Sequence, residues 1–344
     1  MRRGETINGY EILKDSIPAG GRGEISFAKK GDNEYFIKVF LSPKFPVDGS
    51  PGSPRTIAEK RERCKQFEQH HKQLNEKIAT KCALGGNLVY AIDFFRSGTC
   101  YYKINEKIDV SSIKAKDVAK LPQDKILVIL KTVSHSLKIL HDLDIVHGDL
   151  KPDNILIKKT ETGGYTTKLI DFDDSYFSKN PPDYTEVVGT PDYYSPELLE
   201  YIKDTGKCNK TDLTIKSDIF TLGVIFTEYL CGQKPSVSER YKSVAESVAD
   251  ENIIKIESLP NKIGNLLNAM LQKDKEKRPS ISEVFSILKE TDILDGIIKK
   301  TDENKPVIKT PPIKIAKNLT DDKGKTCSTP RTTKILISSN LRTE

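Results

Sequence analysis

Residues 145–159 read IVHGDLKPDNILIKK, and residues 168–175 read KLIDFDDS. In the first stretch two apolar runs, IV and NILI, read as short strands, so HGDLKPD forms the loop between them. In the second, an apolar strand ends in Asp171. A loop held by rigid elements is where catalytic side chains commonly stand. The polar residues gathered here are two carboxylates, Asp149 and Asp171, the amide of Asn154 and the amine of Lys151. That set suits phosphoryl transfer. Hard oxygen donors hold Mg²⁺, a carboxylate orients an attacking hydroxyl, and an amine offsets phosphate charge.

Upstream of this loop the texture is mostly that of strands. YEILKDSI, EISFAKK and EYFIKVFL are short β-rich segments divided by Gly, Asp and Asn turns. A Pro-, Gly- and Ser-rich insert at 42–55 predicts a surface loop, since such a stretch suits neither a helix nor a strand interior. A charged helix comes next over about 56–79, with Phe67, His71, Leu74 and Ile78 along one stripe. NLVYAIDFF and CYYKINEKI are two further strands. From about Val110 onward apolar residues recur at three and four, as in LPQDKILVILKTVSHSLKILHDL. SDIFTLGVIFTEYL is a second apolar helix, with Asp218 near its start and Gly232 just past its end.

The 344 residues allow a large core, two lobes and a tail. No run of about 18 apolar residues occurs, so no membrane span is expected. The N-terminus lacks the apolar stretch of a secretory signal. Six cysteines are scattered with no CxxC pair, which argues against a zinc ribbon or a disulfide framework and fits a cytoplasmic protein. Residues 296–344 hold 11 Lys and Arg against 5 Asp and Glu, which accounts for the whole formal charge of +6. The rest is neutral overall, so no nucleic-acid partner is expected. The last fifty residues or so have no sustained helical period and read as a basic, disordered tail.

The loop and the segments downstream of it resemble the protein kinase family. His147-Gly148-Asp149-Leu150-Lys151-Pro152-Asp153-Asn154 resembles the catalytic loop H-R-D-L-K-x-x-N, and Asp171-Phe172-Asp173 resembles D-F-G. GTPDYYSPE at 189–197 resembles the stretch that closes the family's activation segment. Asp218 and Gly223 match the helix that anchors the catalytic loop, and Arg278 matches the arginine that salt-bridges the glutamate here numbered 197. The order and spacing agree over about residues 10–294.

The resemblance implies an α+β, bilobal fold: a β-rich N-lobe with one main helix (1–109), a mostly helical C-lobe (110–294), and the tail (295–344). It implies a Ser/Thr protein kinase that uses ATP and Mg²⁺ on protein substrates, Lys151 and Thr190 following the Ser/Thr branch. Asp149 then orients the substrate hydroxyl, Lys151 neutralises the γ-phosphate, and Asn154 and Asp171 bind Mg²⁺. Gly20 and Gly23 take two positions of the phosphate-covering loop, with Pro18 in place of the first glycine. Lys38 is the lysine of the α/β-phosphates, and its carboxylate partner lies on the following helix. Counting back from NLVYAIDFF favours Glu76; the apolar stripe favours Glu68, which is preferred. Ile104 is the gatekeeper, and Asn105 opens the hinge that holds adenine. Four residues depart from the pattern: Pro18, Phe36 (which narrows the adenine pocket), Gly148 and Asp173. Asp173 is expected either near the metal or at a solvent-facing turn. The alternative function is a pseudokinase, a nucleotide-binding regulatory module with little catalysis.

Overall fold

The protein is described by a computed structural model. It describes residues 1–19, 23–82, 87–108, 113–204, 206, 208–254, 256, 259 and 261–291. Gly20 and the tail beyond residue 291 lie outside these.

An antiparallel sheet comes first. Its strands are β1 (Thr6–Ile7), β2 (Tyr10–Ile12), β3 (Ile17–Ala19), β4 (Gly23–Lys30), β5 (Asn33–Phe40), β6 (Ala91–Ser97) and β7 (Cys100–Glu106). They run in the order β1-β2-β4-β5-β7-β6, with β3 also paired to β4. Gly31 and Asp32 form the two-residue turn between β4 and β5, Gly31 taking a φ of +62° that favours glycine. Successive side chains of a strand face opposite ways. Ile37 and Ile104 are therefore buried on one face with Ile12 and Ala28, while Phe36, Lys38, Lys103 and Asn105 line a cavity on the other.

Helix α1 (Pro54–Cys82) comes after the predicted surface loop. The Ser53 hydroxyl accepts from the backbone N–H of Thr56 at 3.2 Å. Proline occupies the first helical position, where its missing N–H costs nothing. The helix buries Cys64, His71, Leu74, Ile78 and Cys82, one face at helical spacing.

The remainder is mostly helical: α2 (Ala115–Val118), α3 (Gln123–His141), α4 (Pro196–Ile202), α5 (Lys216–Cys231), α6 (Val244–Ala249), α7 (Asn261–Met270) and α8 (Ile281–Lys289). Short strands β8 (Ile145–Val146), β9 (Ile155–Lys159), β10 (Tyr165–Leu169) and β11 (Tyr176–Phe177) lie between α3 and α4 and pair as β9–β10 and β8–β11. Helix α5 is buried on nearly every side, as its unbroken apolar sequence requires. Gly232 ends it in the left-handed conformation, with φ +78°. The large core joins α3, α5, α7 and α8 to β9, β10 and the inner face of α1. This is the bilobal α+β architecture expected from the sequence.

Candidate active site

The catalytic loop hangs between β8 and β9, and α5 sets its height. Asp218, near the start of α5, accepts from the backbone N–H of His147 at 2.8 Å and faces His141 Nε2 at 3.0 Å. Gly148 then turns with φ +81°. A Cβ there would stand 2.1 Å from the carbonyl oxygen of Asp174, so the Asp174–Ser175 segment packs directly on this glycine's backbone. No side chain fits here unless that segment shifts. Ser175 closes the contact by donating to the carbonyl of His147 at 2.8 Å.

The turn brings the expected residues together. Lys151 Nζ donates to Asp149 Oδ2 at 2.6 Å and to Thr190 Oγ1 at 3.1 Å. Thr190 Oγ1 reaches Asp149 Oδ1 at 3.4 Å. Asn154 Nδ2 donates to the Asp149 carbonyl at 2.8 Å and meets its Oδ2 at 3.3 Å. Ile170 N–H donates to the carbonyl of Asn154 at 3.0 Å, which starts Asp171 one residue from this cluster. Asp171 has a φ of +62°, a strained conformation for a residue with a side chain. Glu197 and Arg278 form the expected pair, bidentate at 2.7 and 2.8 Å and buried, with Ser217 donating to the same carboxylate at 2.8 Å. Burial alone would raise the Glu197 carboxyl, but the Arg278 guanidinium outweighs it and holds it below the usual range.

Between the sheet and the residues Leu156, Ile170 and Asp171 lies a cavity of about 400 Å³. Ile25, Phe27, Phe36, Leu156 and Ile170 give it apolar walls, and Lys38, Lys103, Asn105 and Asp171 its polar groups. Phe36 stands in the wall, edge-on to Phe27 at 6.2 Å between ring centres, and the space remains large enough for a nucleotide. Gly23 crosses Lys38 closely; a Cβ there would meet the Val39 carbonyl at 2.6 Å and Lys38 Cε at 3.3 Å.

Three expectations are corrected here. Lys38 does not pair with a helix glutamate. Its Nζ lies 2.5 Å from Asp173 Oδ2 and 3.4 Å from Asp171 Oδ1. Glu68 instead binds Lys72 one turn along α1 at 2.9 Å, and Glu76 is exposed. The helix turns His71 inward, stacked on Phe94 at 5.0 Å. Burial lowers the His71 pKa to about 3, so the ring is neutral. Asp173 does not point to solvent; it shares the Lys38 and Lys103 ammonium groups with Asp171. It is buried between Lys38 and Lys103, hydrogen-bonded to the latter. Burial opposes its charge, but the two ammonium groups win and hold its carboxyl far below the usual range. Lys38 is held above its ordinary value, Asp173 and Asp171 outweighing burial. Finally, Ile104, the expected gatekeeper, pairs with Ile37 and faces away from the cavity, whereas Lys103, opposite Lys38, and Asn105, opposite Phe36, face it. Asn105 does line the cavity, and its amide donates to the Val89 carbonyl at 3.3 Å. Strand alternation, applied to the β5–β7 register, is the signal that finds Lys103.

Two lobes around a cavity, with a hydrogen-bonded Asp–Lys–Asn loop tied to its wall through Asn154 and Ile170, place the chain among the kinases. The protein kinase domain matches residues 54–287, more than half of the chain, and the chain belongs to that family. The match begins after Lys38, so the place of Gly23 and Lys38 rests on the sheet register. The chain is 30% identical over 206 residues to serine/threonine-protein kinase PSK2 of Saccharomyces cerevisiae, covering 58% of this chain and 17% of that protein. It is 30% identical to serine/threonine-protein kinase ULK3 of Xenopus laevis, over 49% of this chain and 34% of that one. A putative serine/threonine-protein kinase, R436 of Acanthamoeba polyphaga mimivirus, is 30% identical over 58% of this chain and 67% of its own length. The chain thus spans well under half the length of the yeast and frog proteins.

Proposed function

We propose that the chain transfers the γ-phosphoryl group of ATP to Ser and Thr hydroxyls of protein substrates, as a variant kinase with Gly148 and Asp173 in place of the usual arginine and glycine. The observation that carries this reading is the hydrogen-bonded Asp149–Lys151–Asn154–Thr190 cluster, tied through the Asn154 carbonyl to Ile170 in the cavity wall. Asp149 orients the incoming hydroxyl and takes its proton. Lys151, already within reach of that carboxylate, moves positive charge onto the transferring phosphoryl group. One carboxylate and one amide, Asp171 and Asn154, are hard oxygen donors suited to Mg²⁺, which holds few protein ligands and keeps several waters. When bound, the ion offsets charge on the phosphate oxygens. Lys151 and Thr190 support the Ser/Thr class, as do the names of the relatives.

The test is incubation of the full chain with labelled ATP, Mg²⁺ and generic protein substrates. The expected result is phosphoserine and phosphothreonine, absent with Asp149→Asn. Mainly phosphotyrosine would overturn the substrate class, and equal labelling by the Asp149→Asn protein would overturn the assigned mechanism.

A further inference from the structure

Two lysines and two aspartates meet at the back of the nucleotide cavity. Lys38 on β5 and Lys103 on β7 are direct cross-strand partners, so their side chains leave the sheet on the same face, and both ammonium groups reach Asp173. Both side chains are buried, at 8% and 10% exposed. Two cations brought together in a low-dielectric site require anions. Asp171 lies 3.4 Å from Lys38 and 3.5 Å from Lys103, but its side chain is 37% exposed and faces the cavity. Asp173 is 5% exposed and touches both ammonium groups at close range. Phe172 between them turns the other way, its ring 5.3 Å from that of His147. From helix α1 the titratable side chain that faces this group is the neutral His71.

We infer that Asp173 is the positioning carboxylate for Lys38, and that the segment after β10, rather than helix α1, sets the placement of the phosphate-binding lysine. This rests on the kinase reading above. In that reading Asp171 turns to the metal when nucleotide binds, so Asp173 is left as the anion for both lysines. Lys103 anchors Asp173 from the far side: one carboxylate oxygen is engaged with each lysine. Lys38 is thereby held with its ammonium group at the inner end of the cavity, where it meets phosphate oxygens. Glu68 and Glu76 have no part in this, and displacement of α1 leaves the Lys38–Asp173 pair intact.

The experiment measures affinity for a fluorescent ATP analogue with Mg²⁺, together with steady-state kinetics of the full chain. Asp173→Asn is expected to weaken nucleotide binding and raise the KM for ATP at least tenfold, with the KM for protein substrate changed less than twofold. Glu68→Ala and Glu76→Ala are expected to leave nucleotide affinity within twofold of the parent. Adding His71→Glu to Asp173→Asn supplies a carboxylate from the inward face of α1 and is expected to restore part of the lost affinity. A purely structural role for Asp173 would lower stability without the selective change in the KM for ATP. Should Asp173→Asn alone fail to fold, Asp173→Asn with Lys103→Met removes one of the two cations that Asp173 offsets, and the same titration is read on that protein. Parental affinity in the Asp173 variants would overturn the inference, as would a tenfold loss in Glu68→Ala or Glu76→Ala. Nucleotide binding is read without phosphotransfer. A parent that binds ATP but labels no protein therefore overturns the kinase reading alone, and a parent that binds no nucleotide overturns both.

Discussion

Asp149 receives hydrogen bonds from Lys151 and Asn154 through the same oxygen, while Thr190 meets the other. An asparagine keeps the shape of this group but not its charge or basicity. Asp149→Asn is expected to lower turnover by about 10²–10⁴-fold while the melting temperature stays put; near-parental turnover would remove Asp149 from its role. Gly148 is constrained differently, by space. Gly148→Ala places a methyl against the Asp174 carbonyl and keeps a residue with a side chain at φ +81°. The backbone conformation alone costs about 1–3 kcal/mol, and relief of the contact displaces the segment that carries Asp173. A denaturant titration showing unchanged stability would contradict this geometry. Glu197 and Arg278 carry a third expectation. Breaking a buried, fully hydrogen-bonded pair from one side costs about 3–5 kcal/mol, so Glu197→Gln should melt well below the parent at neutral pH. The Glu197 carboxyl is lowered by folding. Its stabilising contribution is therefore full above the unfolded-state pKa and is lost as pH falls through the folded one. The gap between parent and Glu197→Gln should narrow below about pH 4, and a gap constant down to strongly acid pH would count against the pair.

At the scale of elements, the segment from Asp171 to Glu197 is held without any added phosphate. Strand β11 pairs with β8, with Tyr176 opposite Val146. His70 of α1 meets the Ser175 carbonyl at 2.9 Å, and Arg63 of α1 reaches Glu186 at 2.7 Å. Gly148 offers no cation that would need a phosphate to neutralise it. Phosphatase-treated protein is accordingly expected to keep its initial rate; a large drop reversed by autophosphorylation would show that the segment depends on modification. The same elements show what a sequence discloses. The catalytic loop is legible because its chemistry lies in consecutive residues, and Asp218 and Arg278 because each has a fixed counterpart. Helix α1 is legible to within about three residues at either end, through its apolar stripe. The partner of Lys38 is not, because it depends on contacts between distant segments. A helix stripe says which face turns inward, and here that face presents His71 and no carboxylate. The expectation for Ile104 fails for a related reason: alternation turns it away from the cavity and its neighbours Lys103 and Asn105 into it, and only the pairing of β5 with β7 shows which set faces which way.

For the whole molecule, the cavity is the joint between two halves of the fold. Ile25, Phe36 and Lys38 of the sheet form one wall, and Leu156, Ile170 and Asp171 of the body below form the other. A nucleotide bound there touches both, so its binding energy adds to the cohesion of the whole folded body rather than to one lobe. A ligand at a hundred times its dissociation constant stabilises the native state by about 2.7 kcal/mol. Spread over a folded body of nearly 300 residues, that corresponds to a rise in melting temperature of roughly 4–5 °C. A single transition, shifted as one by Mg-ATP, is the expected calorimetric result. Asp171→Asn should lose the part of the shift that depends on Mg²⁺ while keeping a smaller shift with adenosine, which draws only on the apolar walls. Two transitions, of which Mg-ATP moved only the first, would show that the ligand rests on the sheet alone, and the cavity would then have lost its lower wall.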